Sequence, residues 1–259
     1  MICALAKHVL RLAALLALAA PPAPAAERYV ALGDSYSSGT GIGLYDLAGN
    51  CQRSRYAYPA LVAKRRPNLK LVFAACAGAT TDDVLLTQAA RLNEATRLVT
   101  ITIGGNDVGF GDVFSACVQG EAAACGAAIT SAQRTIRTAL PGDLDAVYAK
   151  IRTRAPAARV IVLGYPRLFS GAGCQAIPRA QVSRLNRTAG LLRDVVRRRA
   201  KAAGARFSFR DAIPAFDRHG ICARSAWING LVSPIVDSYH PNRAGHSRGY
   251  TPLVLRALR

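Results

Sequence analysis

The chain has 259 residues, 34 basic against 15 acidic, for a formal charge of +19, and 51% of it is hydrophobic. That length and apolar content suit one α/β domain with a sizeable core, with no Gly/Ser linker or charge tract to divide it. The charge suits an anionic surface, phospholipid or polyanion, and argues against nucleic acid, since no aromatic residues interleave with the basic ones.

The first 26 residues read as a secretory signal peptide. Lys7 and Arg11 precede the apolar run Leu12–Ala20 and a Pro/Ala-rich exit, Pro21–Ala26. The run falls short of the roughly 20 apolar residues needed to span a bilayer, and cleavage after Ala25 or Ala26 fits the small-x-small rule. A retained anchor is the competing reading. Removing the signal takes away two basic residues and no acidic one, so residues 27–259 form a single domain carrying +17. An extracellular location follows.

Five short apolar, β-branched runs then recur: Tyr29–Leu32, Leu69–Ala74, Leu98–Ile103, Val160–Leu163 and Arg206–Phe209. Helical patterns lie between them. Thr81 is expected to cap a helix running through Val84, Leu85 and Leu92, with Asp82 and Asp83 in its first turn. Residues 143–154 and 179–203 show helical spacing, with Pro141-Gly142 interrupting the segment before the first of these. Arg193–Arg206 reads as the exposed face of the second. Strands alternating with helices predict a parallel five-stranded sheet covered on both faces.

Ligands bind outside the carboxyl ends of the strands in such sheets. Three post-strand loops therefore carry the chemistry: Gly33-Asp34-Ser35, Cys76-Ala77-Gly78 and Gly104-Gly105-Asn106-Asp107. Ser35 follows a glycine that permits a tight turn, and Ser37-Ser38-Gly39 leads towards a helix. A serine hydroxyl needs a base. His219, His240 and His246 remain after signal removal; His219 sits beside Arg218 and Gly220 in what reads as a surface loop, His246 has no carboxylate within five residues, and His240 has Asp237 three residues earlier. That carboxylate is expected to fix the imidazole tautomer; the backbone carbonyl of Asp237 or Ser238 is the alternative acceptor. Gly78 offers a backbone N–H and Asn106 a side-chain amide to a developing oxyanion. The stretch Gly245-His246-Ser247-Arg248-Gly249 matches G-x-S-x-G, but no strand precedes it and no histidine follows position 246, so it is not a nucleophile elbow.

Six cysteines remain: Cys51, Cys76, Cys117, Cys125, Cys174 and Cys222. An even count in an exported chain predicts disulfides, although fifteen pairings are formally open. Short loops favour Cys117 with Cys125, and Cys51–Cys76 with Cys174–Cys222 is the simplest remainder. The absence of any CxxC pair argues against zinc, and no metal or cofactor is expected.

With Ser35, Gly78, Asn106 and His240 in that order, the sequence resembles the SGNH (GDSL-like) hydrolase family, and most closely its secreted actinobacterial lipase and esterase branch. Tyr36 stands where the name-giving motif has leucine. The resemblance covers essentially the whole of residues 27–259. It implies a three-layer α/β/α sandwich of flavodoxin-like type around a mainly parallel sheet, and three successive disulfides. It also implies Ser35 as nucleophile and His240 as base, with the Ser35 and Gly78 N–H groups and the Asn106 amide forming the oxyanion hole. Some relatives support the histidine with a backbone carbonyl. The expected substrate is a lipid or other acyl ester and the expected state a monomer in transient contact with anionic membrane. Phospholipase A1 activity is the nearest rival and polysaccharide deacetylation the third. A non-catalytic secreted protein that binds anionic surfaces is the alternative from another class.

Overall fold

The computed structural model describes residues 25–119, 121–171 and 177–259. The expected signal peptide up to residue 24, and Cys174, lie outside the described residues. Five strands form one parallel sheet: β1 (Glu27–Gly33), β2 (Leu69–Phe73), β3 (Thr96–Thr102), β4 (Arg159–Leu163) and β5 (Phe207–Arg210), in the order β2-β1-β3-β4-β5. All five apolar runs became strands: β1, β3 and β4 bury both faces, while the edge strands β2 and β5 are only partly buried. In β1, Tyr29 and Ala31 enter one core and Val30 and Leu32 the other. In β4, Ile161 and Leu163 alternate with Val160 and Val162 in the same way.

The helices are α1 (Ser35–Ser38), α2 (Tyr58–Arg65), α3 (Thr81–Leu86), α4 (Phe110–Gln119), α5 (Ala122–Thr138), α6 (Leu140–Arg154), α7 (Arg179–Ala202), α8 (Ala212–Ala215) and α9 (Thr251–Ala257). Tyr58 and Val62 of α2 and Leu253 and Val254 of α9 cover one face of the sheet; Leu144, Val147 and Ile151 of α6 cover the other. The result is a three-layer α/β/α sandwich.

Local corrections have local causes. The cap of α3 is Thr80, one residue before the expected Thr81: its side chain accepts from the Asp83 N–H while the Asp83 carboxylate accepts from the Thr80 N–H, a reciprocal capping box. The helix ends at Leu86, and Leu92 follows a separate 3-10 turn, Gln88–Arg91. Pro141 and Gly142 lie in the first turn of α6, where proline costs no hydrogen bond. The basic stretch from Arg193 is the outer side of α7, whose inner side buries Leu192, Val195, Val196 and Ala200.

The strand order reverses direction at β1. The chain leaves β1 for β2 on one side and then crosses to β3 on the other, so the crevice of this sheet opens between the carboxyl ends of β1 and β3. Gly33 makes that junction close: at φ +120°, a Cβ there would lie 2.2 Å from the Thr102 carbonyl oxygen. Ser35 and Asn106 follow these two strands.

Candidate active site

Asp34 begins the site. It caps α1, its side chain taking the Tyr36 N–H at 3.0 Å, and Ser35 is thereby the first helical residue. The first N–H groups of a helix have no intrahelical acceptor, so the Ser35 N–H is available to an oxygen outside the turn.

The Ser35 hydroxyl lies 2.9 Å from His240 Nε2, and His240 Nδ1 lies 2.8 Å from the Ser238 carbonyl oxygen. A carbonyl can only accept, so Nδ1 carries the proton. Nε2 is left with its lone pair facing the serine, the tautomer a general base requires. Burial pushes the imidazole pKa down to about 4, against the Ser238 hydrogen bond and the Asp237 charge, which raise it. The ring is therefore neutral at neutral pH.

The expected contact between the Asp237 carboxylate and His240 is not made. Asp237 closes a 3-10 turn, Ile235–Asp237; Ser238 is extended and Tyr239 has a left-handed φ of 62°. This reversal brings the Ser238 carbonyl to the ring. It sends the Asp237 carboxylate towards the Tyr45 hydroxyl and the Gly41 N–H (3.4 Å), both of which donate to it. Gly41 in turn backs the base, since a Cβ on it would stand 2.7 Å from His240 Cβ.

Asn106 donates through Nδ2 to the Ala79 carbonyl at 2.8 Å, which ties it to the residue after Gly78. An amide nitrogen has a second hydrogen, and that one is free to point elsewhere. Gly78 is exposed, with φ +79°, and its loop is pinned by the Cys51–Cys76 disulfide. The second bridge found is Cys117–Cys125. Cys222 is also in a disulfide, while Cys174, the partner expected for it, lies outside the described residues.

Ser35, Asn106 and His240 line one cavity of about 350 Å³, together with Phe110, Phe114, Val118, Leu168, Ile235 and Val236. Polar groups thus converge at one side of a largely apolar space, the usual constitution of a small-molecule site. Gly78 and Asp237 are not among its lining residues.

The other histidines are accounted for. His246 is buried, its Nδ1 accepting from the Tyr58 N–H, in a π-helical turn, Gly245–Tyr250, that absorbs the G-x-S-x-G match. His219 is stacked on Trp227 with ring centroids 3.6 Å apart. Among the described residues, no group of three His, Cys, Asp or Glu side chains could hold a metal ion.

Two residues of the site escaped sequence reading. Asp34 is fully buried, bonded also to Thr102 Oγ1 (2.8 Å) and to the Tyr165 hydroxyl. Burial pushes its pKa up to about 6, against those two bonds. Tyr165 follows β4 and also accepts the Gly105 N–H at 3.0 Å. Its position after a strand was the one available signal.

The GDSL-like lipase/acylhydrolase family model matches residues 31–248. A lipase of Streptomyces rimosus is 45% identical over 242 residues, covering 92% of this chain and 89% of that protein. Among solved structures, an extracellular lipase from Streptomyces rimosus aligns with a TM-score of 0.86 at 42% identity, over 90% of this chain and 100% of that one. A phospholipase A1 from Streptomyces albidoflavus NA297 aligns with a TM-score of 0.85 at 43% identity, over 90% and 99%.

Proposed function

The chain belongs to the GDSL-like lipase/acylhydrolase family and is a carboxylic ester hydrolase, and from that premise we propose that it is exported and cleaves lipid acyl esters through an acyl-enzyme on Ser35. The observation that carries the mechanism is the 2.9 Å contact of the Ser35 hydroxyl with the unprotonated Nε2 of a neutral His240.

Ser35 Oγ attacks the ester carbonyl as its proton passes to Nε2. The tetrahedral oxyanion is received by the Ser35 N–H, the Gly78 N–H and the Asn106 amide. His240 then gives the proton to the departing alcohol oxygen as the carbon–oxygen bond breaks. Water, deprotonated by the same nitrogen, attacks the acyl-enzyme, and the proton returns to Ser35 as the acid leaves. The imidazolium formed at each attack is supported by the Ser238 carbonyl, so the apparatus is a Ser35–His240 dyad with a backbone acceptor. The acyl chain lies along the Phe110, Phe114 and Val118 side of the cavity.

Export is supported by the basic-apolar leader, the disulfides and the likeness to an extracellular lipase. A phospholipase A1 reading is favoured by the +17 charge of residues 27–259 and by likeness to a phospholipase A1. Purified protein is to be assayed on p-nitrophenyl esters of increasing chain length, on triolein and on phosphatidylcholine, with Ser35→Ala as control. The expected result is hydrolysis abolished by the substitution with the fold intact, and an organophosphonate bound to Ser35. Labelling of Ser247 instead would refute the assignment.

A further inference from the structure

Residues 231–236, Leu-Val-Ser-Pro-Ile-Val, are a run of six consecutive exposed residues with no charge among them. Leu231, Val232, Ile235 and Val236 are 49%, 38%, 64% and 45% exposed, and they make up half of the exposed large hydrophobics of the described residues. Isolated apolar residues on a surface need no explanation, but a contiguous group marks a contact surface.

This loop is not a frayed segment. Ser238 Oγ accepts the Val232 N–H at 3.0 Å and donates to the Val232 carbonyl at 3.2 Å, closing the loop at its neck. Asn229 Nδ2 donates to the Asp237 carbonyl at 3.0 Å and to the Gly41 carbonyl at 2.8 Å, which fixes the neck to the body. The backbone is held while the side chains are turned to water, which costs free energy unless something apolar receives them.

The loop is also continuous with the reaction cavity. Leu231, Ile235 and Val236 line that cavity as well as its outer rim, and Ser238, which closes the loop, holds the base through its carbonyl. A substrate acyl chain drawn out of a lipid layer crosses this rim to reach Ser35. The 231–236 stretch is uncharged, while residues 27–259 as a whole carry +17. Apolar insertion with long-range attraction to anionic headgroups fits that combination; a second copy of this chain, equally positive, would be repelled.

We propose that the 231–236 loop docks the cavity mouth on an anionic phospholipid surface, inserting Val232, Ile235 and their neighbours among the acyl chains. This rests on the lipid-ester reading above and deepens it.

The test uses Ser35→Ala protein collected from the medium of a secreting host, so that turnover cannot alter the surface. It is sedimented with vesicles of phosphatidylcholine alone and of phosphatidylcholine mixed with phosphatidylglycerol. Stronger binding to the mixed vesicles is expected. Val232→Asp with Ile235→Asp is expected to lower partition by at least about tenfold, and Val232→Ser with Ile235→Ser by a smaller factor, both with unchanged circular dichroism. In otherwise wild-type protein the aspartate pair should reduce turnover of vesicle lipid more than turnover of a dissolved short-chain ester. Unchanged partition in both variants overturns the proposal, as does loss of a dimer with vesicle binding intact. Loop-dependent binding by a protein that hydrolyses no ester would refute the catalytic reading and leave the docking surface standing.

Discussion

Replacing Asp237 by asparagine separates the two ways a histidine base can be supported. Where a carboxylate holds the imidazole, this change costs about 10⁴ in kcat. Here Nδ1 is bonded to the Ser238 carbonyl at 2.8 Å, and that bond survives the substitution. An asparagine oxygen can still accept from the Tyr45 hydroxyl and the Gly41 N–H, which the carboxylate accepts from now. What is lost is a charge whose influence on His240 ranks behind burial and behind the Ser238 hydrogen bond. A hydrogen bond to a charged group contributes about 1.5–3 kcal/mol, so the lesser effect is about 1 kcal/mol, a loss of roughly fivefold in kcat. The Asp237 charge raises the His240 pKa, so its removal lowers it, and the acid limb of kcat/KM should move to lower pH. Asp237→Ala should cost more than Asp237→Asn, because it also leaves the Tyr45 hydroxyl and the Gly41 N–H without the acceptor they share. Steady-state kinetics on a dissolved ester across pH 3–8 (a range of about 5 units around the histidine values) supplies both readings. A loss of about 10³ or more in the asparagine variant, with the fold intact, would refute the backbone-acceptor argument.

Asn106→Ala should lower kcat by roughly 10²–10³ with little change in KM, since the oxyanion exists only near the transition state; a raised KM at unchanged kcat would make Asn106 a substrate-positioning group. His240 must be neutral to accept the Ser35 proton, and burial pushes its pKa down to about 4. The acid limb of kcat/KM should therefore fall below the ordinary histidine value of about 6.5; a limb centred there would contradict the burial argument. Reducing the Cys51–Cys76 bridge, which spans a separation of 25 residues, should cost about 3–4 kcal/mol in the chain-entropy model. It should also depress kcat through the Gly78 loop, which activity and denaturant melts of protein with selectively alkylated cysteines can measure.

The sheet was legible because its inner strands β1, β3 and β4 are buried on both faces and so read as apolar runs, and all five runs are strands. Helices α2, α4, α5, α8 and α9 were not read. The 17 residues of α5 include six alanines and a glycine and bury only Cys125, Ile129, Ala132 and Ile136, so its helical spacing rests on two isoleucines among small residues. In α2 and α9, proline near the start reads as a break, yet it lies in the first turn, where its missing N–H is not needed. The serine, histidine and amide proposed to act together were legible as candidates because each stands in a loop after a strand or in a segment with distinctive neighbours. The acceptor for His240 was not decided by sequence. Whether a carboxylate three residues away or a carbonyl two residues away meets the ring depends on one backbone reversal, at Tyr239.

Asp34 shows why the motif is more than a nucleophile with small neighbours. Its carboxylate accepts from Tyr36 N, from Thr102 Oγ1 and from the Tyr165 hydroxyl. The first bond shapes the turn that presents Ser35, and the second ties it to the end of β3. The third makes Tyr165 a bridge, because the same hydroxyl accepts the Gly105 N–H beside Asn106. Tyr165 also stands edge-on to the Tyr36 ring at 5.0 Å between centroids. The nucleophile turn after β1 and the amide loop after β3 are thus fixed to one another through a phenol supplied by β4. The Tyr36 hydroxyl, for its part, donates to the Tyr239 carbonyl at 2.7 Å and so reaches the segment that carries the base. An aspartate that caps a helix in solvent contributes a single hydrogen bond. Here the buried carboxylate is the common acceptor that ties the Ser35 turn to the Asn106 loop, and Tyr36 extends the tie to the segment of His240, the preorganisation that the proposed oxyanion site requires.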